Sequence, residues 1–324
     1  MSYAAALREL GKGQASLAED QAHDLFAAML DAGVPDLELG ALLYALRAKG
    51  ESLDELLGFQ RAVAERLYHL RLPDTPTPPV VIPAYGGGQN MANLLALLAL
   101  LLQRFGIPVL IHGTLESHEG VATAYVLREL EIFPCASLSQ AQLALDQEGL
   151  AFVPTAVLCP GLSSLFSLRG RMGVSNSAEL MVKLLEPFDG AGLHLANAAS
   201  SDCLGRLRTF LETGERHALL LQSCEGEPFA NPLQRPQLEY FFQGAGEILF
   251  EAETHPIRTM PNLPKASSAT ATAGWIKQAM AGEIPIPLPL INQLACCLYG
   301  TGYAQDMNQA KAIAAVEAGG LAAA

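Results

Sequence analysis

Three consecutive glycines follow a short β-branched run, in a position that favours contact with a phosphate group. Residues 80–82 predict a strand, 84–90 a turn, and the apolar run after them a helix. In such a unit, unhindered backbone N–H groups and the positive end of the helix point to one place. The alternative is a tight turn that passes close to a neighbouring strand. The candidate ligand-binding residues are Tyr85, Gly86, Gly87, Gly88 and Asn90.

Two further groups stand at the ends of predicted strands, where open α/β sheets place their ligands. His112 and Gly113 end the strand predicted at 107–111. The imidazole could bind a substrate or transfer a proton near neutral pH, or it could be a buried ring bonded to nearby backbone. Glu225 and Glu227 follow the strand predicted at 218–221. Paired carboxylates can hold a hydrated divalent cation against a phosphate; the alternative is an acidic turn.

Basic side chains are sparse, and most of the candidates lie in the middle of the chain. They could contact a phosphate backbone or an anionic substrate, or they could be surface charges balanced by neighbouring glutamates. Only one basic residue, Arg104, occurs between 73 and 127, so a diphosphate at the glycine turn would meet amides but no nearby cation. The candidate anion contacts are Arg104, Arg169, Arg171 and Lys183, with Asn176 beside them as a candidate ligand-binding residue.

The elements that must position these residues alternate between helix and strand. The first 70 residues predict helices, with capping-box patterns at Ser16-Leu-Ala-Glu19 and Ser52-Leu-Asp-Glu55. Further on, helices are predicted at 90–104 and 117–130, strands at 152–153, 157–158 and 193–195, and an edge strand at 247–250. Residues 254–266 predict a surface excursion. This order predicts an α/β fold with a largely parallel central sheet flanked by helices.

Composition limits the possible classes of protein. Half of the 324 residues are apolar and 16% are charged, which is enough for a large core and excludes general disorder. The net charge of −13 excludes a uniformly basic surface. Six cysteines without CxxC spacing indicate buried thiols of a reducing compartment. The first residues lack a secretory signal, and the most apolar run is too short to cross a bilayer, so we expect a soluble cytoplasmic protein.

The chain resembles the anthranilate phosphoribosyltransferases and the nucleoside phosphorylases. Gly40-Ala-Leu-Leu-Tyr-Ala-Leu-Arg-Ala-Lys-Gly50 is similar to their N-terminal helices, and the glycine turn, His112-Gly113 and Glu225-Gly-Glu227 follow in the order of the family's motifs. Arg171-Met-Gly-Val-Ser-Asn176 and Ala230-Asn-Pro232 resemble a divergent nucleic-acid-binding branch of this fold. The resemblance covers nearly the whole chain.

Several of the family's phosphate-binding groups are replaced in this sequence. The family's GTGGD turn corresponds to Ala84-Tyr-Gly-Gly-Gly88, its N-x-S-T helix start to Asn93-Leu-Leu-Ala96, and its KHGNR segment to Ile111-His-Gly-Thr-Leu115. The arginine that holds the aromatic carboxylate falls at Ser175. Only the acidic metal motif keeps its carboxylates, as Glu225 and Glu227. A buried diphosphate without cationic partners would be costly, which disfavours the family's usual reaction.

The resemblance implies a phosphoribosyltransferase fold of the anthranilate type, with a discontinuous helical domain. We expect that domain at 1–72 with 162–188 inserted into it, and an α/β domain at 73–161 and 189–324. The implied function is binding of nucleic acid, DNA in particular, in a groove by a homodimer joined through the helical domain, with no required cofactor. The alternative is a pentosyltransferase with an altered donor or acceptor, which would use Mg²⁺ at Glu225 and Glu227. A nucleotide-like small molecule is a further possible ligand, and no membrane partner is expected.

Overall fold

The computed structural model describes residues 2–11, 15–117, 120–189, 191–256 and 263–317. The helices are α1 (Tyr3–Leu10), α2 (Glu19–Leu30), α3 (Asp36–Lys49), α4 (Leu53–Ala64), α5 (Leu95–Arg104), α6 (Thr123–Glu129), α7 (Leu138–Glu148), α8 (Thr155–Leu158), α9 (Pro160–Ser167), α10 (Arg169–Met172), α11 (Ala178–Val182), α12 (Ser201–Thr213), α13 (Ala269–Met280), α14 (Leu288–Gly300) and α15 (Met307–Glu317). The strands are β1 (Val80–Ala84), β2 (Val109–Gly113), β3 (Leu150–Pro154), β4 (Leu193–Ala198), β5 (Ala218–Gln222), β6 (Leu238–Phe242) and β7 (Ala245–Phe250).

These elements form two compact units. The helical unit comprises Met1–His69 and Thr155–Pro187, and the sheet unit comprises Leu70–Pro154 and Phe188–Ala324. The second segment of the helical unit therefore begins seven residues before the position expected from the sequence, Leu162. The strand expected at 157–158 is wrong, because these residues belong to α8 of the helical unit.

Helices α2 and α4 form the centre of the helical unit. The rings of Phe26 and Phe59 stack with their centroids 4.4 Å apart, and both side chains are fully buried. The two helices approach closely at Gly58, where a Cβ would overlap the carbonyl oxygen of Glu19. An apolar stripe on each helix thus buries itself against the other, as the spacing of the leucines and phenylalanines predicts.

Only one of the two predicted capping boxes forms. At the start of α4, Ser52 Oγ accepts from Glu55 N at 3.3 Å, and the Glu55 carboxylate accepts from Ser52 N at 2.8 Å. The box predicted at Ser16 is wrong, since α2 begins at Glu19 and its capping contact is the side-chain oxygen of Gln21, which accepts from Ala18 N at 3.3 Å. Ser16 instead accepts from the Lys49 ammonium, a partner distant in sequence.

The sheet unit contains a seven-stranded sheet in the order β3-β2-β1-β4-β5-β6-β7. Strands β1 to β5 are parallel, and β6 and β7 are antiparallel to their neighbours. The predicted α/β class with a largely parallel sheet is confirmed, and β7 is the expected edge strand. Strand β6 was not predicted, because its Glu239 is buried through an ion pair with Arg208 at 2.7 Å, which no local pattern reveals.

Two helices of the sheet unit are shorter than predicted. Helix α5 is buried on nearly every side, yet it begins at Leu95 rather than at residue 90, because Asn93 Oδ1 accepts from Leu95 N at 3.2 Å and ends the loop. Helix α6 begins at Thr123 rather than at Ser117. Residues 118–119, and residues 257–262 of the expected surface excursion, lie outside the described part of the chain.

The cysteines and the apolar helices agree with the compositional expectations as far as the structure describes them. All six thiols are free; five are buried, and Cys203 is half-buried. Among residues 2–317, apart from the gaps given above, no helix has both the length and the apolar character needed to cross a bilayer.

Candidate functional site

The glycine loop (residues 85–90) and the acidic turn (residues 224–227) meet at the carboxyl end of the sheet. The loop follows β1, whose last residue Ala84 lies beside Gly113 of β2, and the acidic turn follows β5. This is the end at which parallel α/β sheets bind their ligands. Gly86 touches the acidic turn so closely that a Cβ on it would overlap the carbonyl oxygen of Glu225. The alternative interpretation of the glycines, a tight turn close to a neighbouring segment, describes this contact.

The acidic turn is a two-residue reversal closed by reciprocal backbone bonds. Cys224 N and Glu227 N each donate to the other residue's carbonyl oxygen at 3.0 Å. Glu225 has a φ of +51° and Gly226 a φ of +86°, the left-handed conformations that type I′ turns require at both central positions. Glutamate rarely adopts this conformation, so the surrounding contacts must hold it there.

The Glu225 carboxylate is bound by backbone N–H groups of the glycine loop. It accepts a hydrogen bond from Gln89 N. Asn90 N donates to both of its oxygens, at 3.0 and 3.1 Å, and Asn90 Nδ2 donates to Oε1 at 3.1 Å. Partial burial acts to raise the pKa of the Glu225 carboxyl, but the N–H groups of Gln89, Asn90 and Met91 lower that pKa more, and the result lies below the usual value. These amides therefore already have an anionic partner from the protein itself.

This lowered pKa gives Glu225→Gln a pH-dependent effect on stability. A carboxyl group with a depressed pKa in the folded state contributes stability above its unfolded-state pKa and loses it as the pH falls through the folded-state pKa. We expect the free energy of unfolding of the wild type to exceed that of Glu225→Gln by a constant amount at neutral pH, and the difference to shrink below the ordinary value of 4.5. Urea unfolding between about pH 7 and pH 3 measures it, with exposed Glu283→Gln as the control. A difference that does not change with pH would contradict the assignment.

Glu227 lies in a buried polar cluster below the same loop. Its Oε1 accepts from Thr123 Oγ1 at 2.8 Å and from Asn93 Nδ2 at 3.3 Å, and the residue is 1% exposed. Asn93 falls in a segment that corresponds to a family motif, but neither it nor Thr123 was predicted as a site residue. The signal for Asn93 was that motif, whereas nothing local marks Thr123. Burial, with the nearby carboxylates, raises the pKa of the adjacent Cys224 thiol to about 12, so this thiol is not a nucleophile at neutral pH.

His112 is a buried imidazole rather than an exposed one. It is fully buried, and a hydrogen bond of 2.8 Å joins its Nδ1 to the hydroxyl of Tyr85, which is 4% exposed. Burial, and next the neighbouring His194, hold the pKa of His112 well below its usual range, so the ring is neutral. Its Nε2 has no hydrogen-bond partner among the described residues. The structure thus joins His112 to Tyr85, the first residue of the glycine loop, in a buried pair.

The candidate anion contacts differ in burial and in their internal partners. Lys183 is 5% exposed and its ammonium lies 3.4 Å from Glu179 Oε1, and the Arg169 guanidinium lies 3.9 Å above the ring of Phe166. Both belong to the helical unit. Arg104 belongs to the sheet unit, at the end of α5 remote from the glycine loop, and donates to the carbonyl oxygen of Met280 at 3.4 Å.

Arg171 differs from the other candidate cations. It is exposed in α10, and its guanidinium makes no hydrogen bond or ion pair with any residue that the structure describes. Asn176, in contrast, is 3% exposed; its Nδ2 donates to Leu165 O at 3.0 Å and its Oδ1 accepts from Ala178 N at 3.0 Å. Of these two predicted residues, only Arg171 has its polar atoms available to a ligand.

In this arrangement both candidate metal carboxylates are held by hydrogen-bond donors of the protein. Both oxygens of Glu225 accept hydrogen bonds from the loop, and Oε1 of Glu227 accepts from Thr123 and Asn93. Within the described ranges no three His, Cys, Asp or Glu side chains converge as metal ligands. A divalent cation would have to displace the loop amides from Glu225, so the present donor set does not fit it.

Comparison with known proteins agrees with the fold. Residues 4–67 match the glycosyl transferase family helical bundle domain. Anthranilate phosphoribosyltransferase from Thermus thermophilus has a TM-score of 0.77 at 20% identity, covering 95% of this chain and 93% of that one. The Saccharomyces cerevisiae enzyme in complex with PRPP and Mg has a TM-score of 0.73 at 14% identity, covering 98% and 93%. At these identities the likeness concerns the fold.

Proteins of similar sequence narrow the family to which the chain is assigned. The anthranilate phosphoribosyltransferase of Methanothermobacter marburgensis is 32% identical over 189 residues, which is 54% of this chain and 53% of that enzyme. The uncharacterized protein YbiB of Escherichia coli is 38% identical over 312 residues, 95% of this chain and 97% of YbiB.

The chain has the fold of the anthranilate phosphoribosyltransferases, with a helical bundle domain and a mostly parallel α/β sheet. Within that class, the chain belongs to the family of YbiB.

Proposed function

We propose that this protein binds DNA and does not transfer phosphoribosyl groups to anthranilate. The observation that carries DNA binding is Arg171, whose exposed guanidinium has no partner among the residues that the structure describes. The second half is supported by the amide groups of the glycine loop, which hold the carboxylate of Glu225. The two halves are tested separately.

Electrostatics disfavours the transfer of a phosphoribosyl group from a diphosphate donor. A diphosphate donor needs hydrogen-bond donors and cations around it, because burying its charge without compensation is costly. The positions that correspond to the family's cationic KHGNR ends are Ile111 and Leu115, which are apolar, and Arg104 is at the far end of α5. Glu225 adds a negative charge where the donor would bring its own. Together these features disfavour a diphosphate at the loop.

Exposed cations in the helical unit support DNA binding. Arg47, in the last turn of α3, is exposed, and its guanidinium, like that of Arg171, makes no hydrogen bond or ion pair with a described residue. The segment after α3 contacts the segment after α10, since Ser177 Oγ donates to Glu51 Oε1 at 2.7 Å. Arg47 lies four residues before Glu51 in the sequence and Arg171 six residues before Ser177, and exposed guanidinium groups bind the phosphate backbone without regard to sequence.

Titration of labelled single- and double-stranded DNA by fluorescence anisotropy tests this proposal. We expect binding that weakens as KCl rises, with Arg171→Ala lowering the affinity by about five- to tenfold and the salt slope by about 1, because one phosphate contact is lost. Arg71→Ala is the matched control, since it removes an equally charged side chain that is 82% exposed. No binding at low salt, or equal loss in both variants, would overturn the proposal.

The transferase alternative has its own test. The buried carboxylate of Glu227 beside Thr123 and Asn93 is the observation that favours it. Calorimetry with phosphoribosyl diphosphate and MgCl₂ is expected to give no binding heat. A Mg²⁺-dependent binding signal that Glu227→Gln abolishes would instead support a transferase with an altered donor or acceptor.

A further inference from the structure

The contact between Glu225 and the glycine loop closes a site that the backbone could otherwise offer to an anion. Three donors converge on this one carboxylate, namely the backbone N–H groups of Gln89 and Asn90 and the Asn90 side-chain amide. Convergent amide donors of this kind form concavities that bind anions such as phosphate. The donors are therefore suited to an anion, and the anion that they hold is part of the same chain.

The backbone positions the carboxylate for this role. The left-handed conformation of Glu225 and Gly226 turns the chain back against Gly86, and Gly87 N donates to Glu225 O at 3.3 Å. A Cβ on Gly86 would overlap this turn, so glycine is needed for the approach. The acidic turn and the loop thus form one assembly, in which the carboxylate faces the amides across 135 residues of sequence.

An ordinary metal ligand would be arranged differently. A carboxylate that serves Mg²⁺ directs its oxygens to the ion, whereas both oxygens of Glu225 face N–H donors. The lowered pKa of this carboxyl agrees with a charge held by donors. Glu225 therefore takes the position that an anionic ligand would have at these amides. It does not bind a cation that would neutralise such a ligand.

We propose that Glu225 is an internal anion that blocks the glycine loop, so that a phosphate or diphosphate group binds there only after this carboxylate is displaced. The block is autoinhibitory, because the same donors serve both partners and two negative charges cannot share them. The proposal concerns the sheet unit alone and does not depend on DNA binding by the helical unit.

Removing the carboxylate should open the site to a simple probe. We expect inorganic pyrophosphate, titrated by calorimetry without divalent cations, to bind Glu225→Ala at least about tenfold more tightly than the wild type, because the competing internal partner is gone. Glu225→Asn is a second variant, since asparagine tolerates the left-handed conformation while its shorter side chain no longer carries a charge. Glu283→Gln, which removes an exposed charge elsewhere in the sheet unit, is the matched control.

A backbone measurement makes the result independent of how well one variant folds. In NMR spectra of the wild type, the N–H signals of Gln89 and Asn90 are expected to move when Glu225 is replaced and to move again when pyrophosphate is added to the variant. Equal affinity in the wild type and both variants, weaker binding in the variants, or an equal gain in Glu283→Gln would overturn the proposal. Tighter binding in both Glu225 variants, with these two N–H signals responding, would support it.

Discussion

Alanine at Gly113 is expected to destabilise the protein by about 3 kcal/mol or more, in the range of severe overpacking. Gly113 is the last residue of β2 and pairs with Ala84 of β1. A Cβ on Gly113 would overlap the carbonyl carbon and oxygen of Ala84 and crowd its side chain. These atoms belong to the backbone of a buried central strand, so they cannot rotate away as a flexible side chain could.

Urea unfolding of Gly113→Ala measures this effect, and the chain offers a control of opposite sign. Gly274 lies inside α13, and a Cβ on it would meet no atom within 4 Å. Gly274→Ala is therefore expected to stabilise the protein by about 1 kcal/mol, through helix propensity alone. Near-native stability of Gly113→Ala would show that β1 and β2 can separate at this end of the sheet. The glycine chosen from the sequence as a ligand-binding residue is, on this view, needed for strand packing.

Removal of the Glu55 carboxylate is expected to cost about 3–5 kcal/mol, because a buried charge would lose its partner. Glu55 Oε2 accepts from Lys49 Nζ at 2.6 Å, and its side chain is fully buried while that of Lys49 is 7% exposed. Glu55 also accepts from Leu17 N at 2.9 Å and from Ser52 N at 2.8 Å. One carboxylate thus joins the segment before α2 to the junction of α3 and α4.

Chemical denaturation of Glu55→Ala tests this, with Asp54→Ala as the neighbouring control. Asp54 is exposed in the first turn of the same helix, so its loss is expected to cost about 0.3–1 kcal/mol through the helix dipole. The double variant Lys49→Met/Glu55→Leu should recover at least half of the loss, because it leaves no unpaired charge. A cost for Glu55→Ala as small as that of Asp54→Ala would contradict the assigned role of this ion pair.

The fold was largely predictable because its signals are local. The short apolar runs that became β1 to β5 alternate with helical stretches, and this order defines a parallel α/β sheet without knowledge of any contact. The predictions failed where a distant partner decides the outcome. Residues 157–158 join α8 of the helical unit, and the first capping box gives way to contacts of Ser16 with Lys49 and of Ala18 with Gln21.

The candidate site was predictable in its location but not in its chemistry. The glycine turn and Glu225 do lie together, as the ends of parallel strands require. Their residue types were compatible with a metal ligand and a phosphate cradle. The folded chain joins these two groups to each other, and it joins Tyr85 to His112. Lys183 and Asn176 had the chemistry of ligand contacts, yet burial gives their polar atoms internal partners.

The sequence by itself determined the class of fold, the order of the motifs and the shortage of cations where the family binds phosphate. These properties depend on the type and spacing of residues along one chain. Only the tertiary structure decided that the carboxylate of Glu225 occupies the amides of the glycine loop and that Arg171 is the candidate cation without an internal partner. The physical reason is that hydrogen-bond pairing and burial depend on distances between atoms that are up to 135 residues apart in the sequence.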